Sequence, residues 1–176
     1  MARNIEIKAH VKDLEAVAAA AAKLAGAAPS LIEQDDTFFS CPAGRLKLRS
    51  FVDGSGVLIF YQRADQAGPK ECFYALSETA DAASLRETLS LAYGQVGRVR
   101  KLRRLFIVGR TRVHLDQVEG LGSFIELEVV LGEHEAAEQG VEQAHALMQQ
   151  LGIASEDLLE TAYVDLLADS AKAAQA

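Results

Sequence analysis

The chain has 176 residues, 49% hydrophobic and 24% charged, which suits one soluble globular domain with a sizeable core. It holds no run of about 18 apolar residues, so no transmembrane helix is expected. A formal net charge of −7 sets the bulk surface against nucleic acid. The opening Met-Ala-Arg-Asn-Ile-Glu lacks the apolar stretch of a secretory leader, and Cys41 and Cys72 form neither a metal spacing nor a disulfide framework. A reduced cytoplasm, with no membrane partner, is the expected setting.

In chain order, a strand from Arg3 to Val11 leads into an alanine-rich helix, with Asp13 as its N-cap and Gly26 as its C-cap. Strands follow at Leu31–Ser40 and Arg45–Val52, and Asp53-Gly54-Ser55-Gly56 turns the chain into Val57–Arg63. Gln66-Ala67-Gly68-Pro69 is a second turn, before a strand near Lys70–Leu76. A helix is expected over Asp81–Tyr93, with Ser84 and Glu87 at capping-box spacing and Gly94 as terminator. Strands at Val99–Val108, Thr111–Val118 and Ser123–Leu131 come next, then helices near His134–Leu151 and Ser155–Leu167. The fold class is α+β with a mostly antiparallel sheet, one domain over 1–169 and a frayed tail at 170–176. Eight strands can also close into a barrel.

Charged residues on these strands fall two apart. Asn4, Glu6 and Lys8 alternate with Ile5 and Ile7, and Lys47 and Arg49 flank Leu48. Tyr61 and Arg63 share a parity, as do Arg112, His114 and Asp116, and Glu126 and Glu128. Strand side chains alternate between faces, so each set points one way. Solvent is one explanation. Yet ordinary solvent faces mix Ser, Thr, Gln and Lys, whereas here cations gather at some positions and carboxylates at others. That pattern suits a metal together with a polyanion. The basic run from Arg98 to Arg112 in an acidic chain likewise indicates a confined anion site. Arg98, Arg100 and Arg104 do not fit the inward parity and read as solvated, while Asp36, Phe38 and Phe39 read as structural. His134-Glu135-Ala136-Ala137-Glu138 lacks the second histidine of a zinc helix.

The motifs Ile5-Glu6-Ile7-Lys8, Leu46-Lys47-Leu48-Arg49, Lys101-Leu102-Arg103 and Gly120-Leu121-Gly122-Ser123-Phe124-Ile125-Glu126-Leu127-Glu128, in that order, carry a resemblance. The chain resembles the CYTH superfamily, the triphosphate tunnel metalloenzymes, and within it the class IV adenylyl cyclase-like branch. The resemblance implies an eight-stranded, mostly antiparallel closed β-barrel whose interior binds a triphosphate and Mg²⁺ or Mn²⁺. Lys8, Lys47, Arg49, Arg63, Lys101, Arg103 and Arg112 would then bind phosphate, and Glu6, Asp116, Glu126 and Glu128 the metal. Two positions depart from the family pattern: Asn4 replaces a glutamate, and Cys72 stands in for an acidic residue. The implied reaction is conversion of ATP to cyclic AMP and pyrophosphate. Alternatives are hydrolysis of thiamine triphosphate, tripolyphosphate or a nucleoside triphosphate, or nucleotide binding without catalysis. The branch resembled also implies a homodimer. His114 shares the parity of Arg112 and Asp116, and its role is left open between a structural and a catalytic one.

Overall fold

The structure, a computed structural model, describes residues 2–63 and 68–174. The expected turn residues Gln66 and Ala67 therefore lie outside the described residues. Eight antiparallel strands form the framework: β1 (Ala2–His10), β2 (Ser30–Phe39), β3 (Arg45–Ser50), β4 (Gly56–Arg63), β5 (Lys70–Thr79), β6 (Gln95–Val108), β7 (Thr111–Val118) and β8 (Gly122–Val130). Their order is β1-β5-β4-β3-β2-β6-β7-β8, and β1 pairs with β5 along one edge and β8 along the other, so the sheet closes on itself. Four helices lie outside it: α1 (Leu14–Ala25), α2 (Ala82–Tyr93), α3 (Ala137–Gln150) and α4 (Tyr163–Ala173). None among the described residues is long and apolar enough to cross a membrane.

The alternation dictates this arrangement. Ile5, Ile7, Val113, Leu115, Ile125 and Leu127 point outward and are at most 1% exposed beneath α1 and α3. Each such side chain contributes about 1.5–3 kcal/mol on burial. That outer layer offsets the cost of a charged interior. Asp13 accepts the Ala16 N–H at 3.0 Å to start α1, and Gly26, at φ 66°, ends it in the left-handed conformation that glycine adopts freely. On the far side Phe39, Leu48, Ala82 and Leu89 form a smaller core under α2.

Three local expectations are corrected. Asp81, not Ser84, caps α2, accepting the Ser84 N–H at 2.9 Å; Ser84 lies inside the first turn. Strand β6 starts at Gln95, because β2 supplies partners down to Phe39 and the ladder outweighs the breaker Gly97. The last helix starts at Tyr163 rather than Ser155. A single 3₁₀ turn spans Ser155–Asp157, and the next residues run extended, with the Leu159 N–H donating to the Lys8 carbonyl at 2.9 Å. Pairing with β1 overrides the helix propensity of that stretch.

Candidate active site in the barrel interior

The inward parity of the strands brings the charged residues to one cavity of about 410 Å³. Lys47 and Arg49 come from β3, Arg63 from β4, and Lys101 and Arg103 from β6. Glu6 from β1 and Glu126 and Glu128 from β8 form the facing wall, with Lys8 and Arg112 among them. Ten of the eleven residues expected at the site line this cavity. Asp116 does not. It is 0% exposed and lies behind the cations, accepting from Lys101 Nζ at 2.7 Å, Arg103 Nε at 2.7 Å and Nη2 at 2.6 Å, and Tyr163 Oη at 3.2 Å. Its lone pairs serve two buried cations, so the arrangement gives Asp116 the part of a counter-ion beneath the cavity floor.

The cations are held in place by carboxylates. Lys8 Nζ is 3.0 Å from Glu126, and Arg103 Nη2 donates to Glu126 at 2.6 Å. Arg112 Nε donates to Glu128 at 2.7 Å, and Arg63 Nη1 to Glu6 at 3.4 Å. Asp36, which the sequence presents as structural, lines the cavity and accepts from Lys47 and, through two bonds, from Arg49, all at 2.8 Å. Burial alone would raise the Asp36 and Asp116 carboxyls. Lys47 with Arg49, and Arg103 with Lys101, overcome it and hold both far below the usual range. Burial lowers the Lys47 ammonium to about 8, because Asp36 is shared with Arg49 and repays only part of the cost. Burial, reinforced by Glu128, pushes the Glu6 carboxyl up.

These seven cations and five carboxylates, Asp36 and Asp116 included, leave a surplus of two positive charges with His114 neutral. Burial and nearby Arg103 lower the His114 imidazolium, which supports that neutral form. A triphosphate carrying one divalent cation would neutralise the surplus. Several polar atoms also lack partners although they are shut off from solvent: Asn4 Oδ1, Gln34 Oε1, Arg63 Nε and Nη2, and His114 Nδ1. Unsatisfied buried groups are costly, and among the described residues five of the seven such side-chain atoms belong to residues lining the cavity, the other two being Thr37 Oγ1 and Arg86 Nε.

His114 Nδ1 stands 3.9 Å from Glu126 and 3.7 Å from Glu128, and ligand atoms of the three lie within 4.8 Å of one another. Two carboxylates and an imidazole this close together suit a divalent cation. Sequence parity places His114 on this face but does not select it as a ligand; its proximity to Glu126 across the β7–β8 ladder does.

One end of the barrel is sealed. Tyr163 lies against Lys8, whose Nζ is 3.8 Å from the ring centroid, and packs with Phe38, Val99, Val118 and Phe124. Lys70 Nζ donates to the Leu159 and Glu160 carbonyls at 3.5 and 3.3 Å, and Arg45 holds Asp165 through two bonds, so the segment before α4 and the first turn of α4 are both tied down. Lys70 thus points at the seal. Arg98 and Arg104 sit outside, paired with Asp35 and Glu15.

The CYTH domain family model matches residues 2–163. The adenylate cyclase CyaB of Aeromonas hydrophila is 26% identical over 95% of this chain and 90% of its own length. Among solved structures, the PH1012 protein of Pyrococcus horikoshii superposes with a TM-score of 0.80 at 24% identity, covering 93% of this chain and 98% of that one. A conserved hypothetical protein of Pyrococcus furiosus superposes with a TM-score of 0.82 at 23% identity, over 93% and 99% of the two chains. These two likenesses concern the fold.

Proposed function

Because this chain belongs to the CYTH domain family, we propose that the barrel interior is a divalent-metal-dependent active site for a triphosphate, and that its reaction is the class IV adenylyl cyclase reaction, ATP to cyclic AMP and pyrophosphate. The observation that carries the reading is the charged interior: cations from β3, β4 and β6 face a wall from β1, β7 and β8 where Glu6, Glu126, Glu128 and His114 stand among Lys8 and Arg112. The similarity to the Aeromonas cyclase favours cyclisation over hydrolysis.

In this reading Lys47, Arg49, Arg63, Lys101 and Arg103 bind the β- and γ-phosphates. Arginine forks donate in pairs to phosphate oxygens, and each cation is already aimed by a carboxylate, so little reorganisation is needed. Asp116 and Asp36 are positioning residues beneath them. Glu126, Glu128 and His114, with Glu6 beside them, would hold the divalent cation, which supplies charge to the phosphoryl oxygens and acidifies a hydroxyl near it. With its proton passed to water, the 3′-oxygen forms a bond to the α-phosphorus as the bond from that phosphorus to the oxygen bridging the β-phosphate breaks, and the cation wall takes up charge developing on pyrophosphate. Sealing by Tyr163 keeps water from one end of the cavity and strengthens each of these interactions.

The test is a product analysis with ATP and Mg²⁺ or Mn²⁺. Cyclic AMP and pyrophosphate in equal amounts are expected. Phosphate release without cyclic AMP would replace cyclisation with hydrolysis in the same cavity.

A further inference from the structure

Two inward positions have no task in that chemistry. Asn4 on β1 and Cys72 on β5 are each 2% exposed and line the same cavity. They stand directly opposite each other in the β1–β5 ladder, which sets their β-carbons about 5 Å apart. Asn4 Oδ1 is shut off from solvent and has no hydrogen-bond partner. Glu6 is the next inward residue on β1, and the Cys72 thiol lies within hydrogen-bonding reach of its carboxyl. Cys72 Sγ also meets the Phe73 carbonyl at 4.0 Å, the outer limit of such a contact. Glu6 is loosely held, by Arg63 Nη1 at 3.4 Å. A buried cysteine usually fills space as a small apolar group. Beside this one stand an amide oxygen without a partner and a carboxyl, which together make a set of donors for a cation. The other cysteine, Cys41, lies apart from them in the β2–β3 connection.

We propose that Cys72 Sγ, Glu6 and Asn4 Oδ1 form a second cation site, beside that of Glu126, Glu128 and His114, and that it takes a thiophilic divalent ion such as Zn²⁺ or Cd²⁺. Such a site needs no triphosphate in the cavity. Sulfur decides the class of ion: Mg²⁺ takes oxygen ligands, whereas Zn²⁺ and the softer Cd²⁺ bind thiolate. Zinc holds sulfur at about 2.3 Å and carboxylate oxygen at about 2.0–2.2 Å, so tetrahedral donors sit about 3.5 Å apart. Groups already in hydrogen-bonding reach, as Cys72 and Glu6 are, need little movement to meet that spacing. On binding, a metal–sulfur bond replaces the S–H bond and the proton passes to water. Glu128 is the ladder partner of Glu6 and belongs to the neighbouring site, so an ion held by Cys72 draws on that site too. A thiophilic ion therefore opposes the hard cation instead of standing in for it.

The test titrates the ligand-free protein with Cd²⁺ in a Cys41→Ser background, where Cys72 is the one thiol left. The readout is the ultraviolet sulfur-to-cadmium charge-transfer band, which an ion on oxygen and nitrogen alone does not give. The band is expected to appear and to saturate at one ion per chain. Cys72→Ser should remove it. Asn4→Leu, which keeps the thiol and the side-chain volume, should weaken Cd²⁺ binding about tenfold. Urea unfolding midpoints taken without metal separate loss of a ligand from loss of the fold. Absence of the band at saturating Cd²⁺ would overturn the site, whether or not the ion binds elsewhere. Undiminished affinity in a folded Asn4→Leu variant, or a band that survives in Cys72→Ser, would overturn it equally.

Discussion

Asp116→Asn separates a counter-ion from a metal ligand. Asp116 is fully buried and accepts from Lys101, Arg103 and Tyr163; the side chains of the two cations are 3% and 5% exposed. Without its charge, both cations must lean on Glu126, which already holds Lys8 at 3.0 Å and lies 3.9 Å from Lys101. Breaking a buried ion pair from one side costs about 3–5 kcal/mol. The asparagine carbonyl recovers about 1 kcal/mol of hydrogen bonding, so a net loss of about 2–4 kcal/mol is expected. With a urea slope of about 2 kcal/mol per molar, the unfolding midpoint falls by about 1–2 M at pH 7 without any divalent cation. The folded Asp116 carboxyl lies below its ordinary value of 3.8, so its contribution is full above that pH and fades as pH falls below it. The gap between variant and parent therefore narrows in acid. Saturating tripolyphosphate should restore about 2–3 kcal/mol, because it supplies the missing negative charge. A midpoint unchanged in chelator, together with weaker Mn²⁺ binding, would refute the counter-ion assignment and return Asp116 to the metal set.

Four further outcomes follow from the same geometry. Tripolyphosphate affinity should fall about tenfold as pH rises through the Lys47 value of about 8, and Lys47→Arg should flatten that profile; an unaltered profile would exclude Lys47. The same group makes stability rise with pH between about 8 and its ordinary 10.5, because there the unfolded chain binds the extra proton. Glu128→Gln should weaken Mn²⁺ binding at least tenfold in calorimetry with tripolyphosphate present, and unchanged Mn²⁺ affinity would remove Glu128 from the metal group. Gly97→Ala should cost about 1–3 kcal/mol and expose α4 to proteolysis, since a Cβ there would run into Val164; protection equal to the parent's would mean that α4 is not held there.

Alternation made most of this architecture readable. Ile5 and Ile7 against Asn4, Glu6 and Lys8 fix which face of β1 is apolar, and the same parity on β3, β6 and β8 assigns the cation and carboxylate walls. Parity gives the face of a side chain but not its depth. Asp116 shares the parity of Arg112 and His114, yet Tyr163 covers it, and that contact depends on a residue 47 positions away. Asp36 has the inward parity too, but its pairing with Lys47 and Arg49 needs the β2–β3 register, which the sequence does not specify. The expected α4 boundary failed because a backbone bond from Leu159 to Lys8 competes with helix formation.

The most direct test of the central claim, that this interior is a triphosphate site, is calorimetric titration of the metal-free protein with tripolyphosphate at moderate salt, alongside Arg49→Glu and Arg103→Glu. Facing a surplus of positive charge in an enclosing cavity, tripolyphosphate should bind saturably at one site per chain. Each reversal should weaken it by about a hundredfold, the scale of losing a desolvated charge-assisted pair. No saturable binding of tripolyphosphate, with a nucleoside or monophosphate binding instead, would contradict the account.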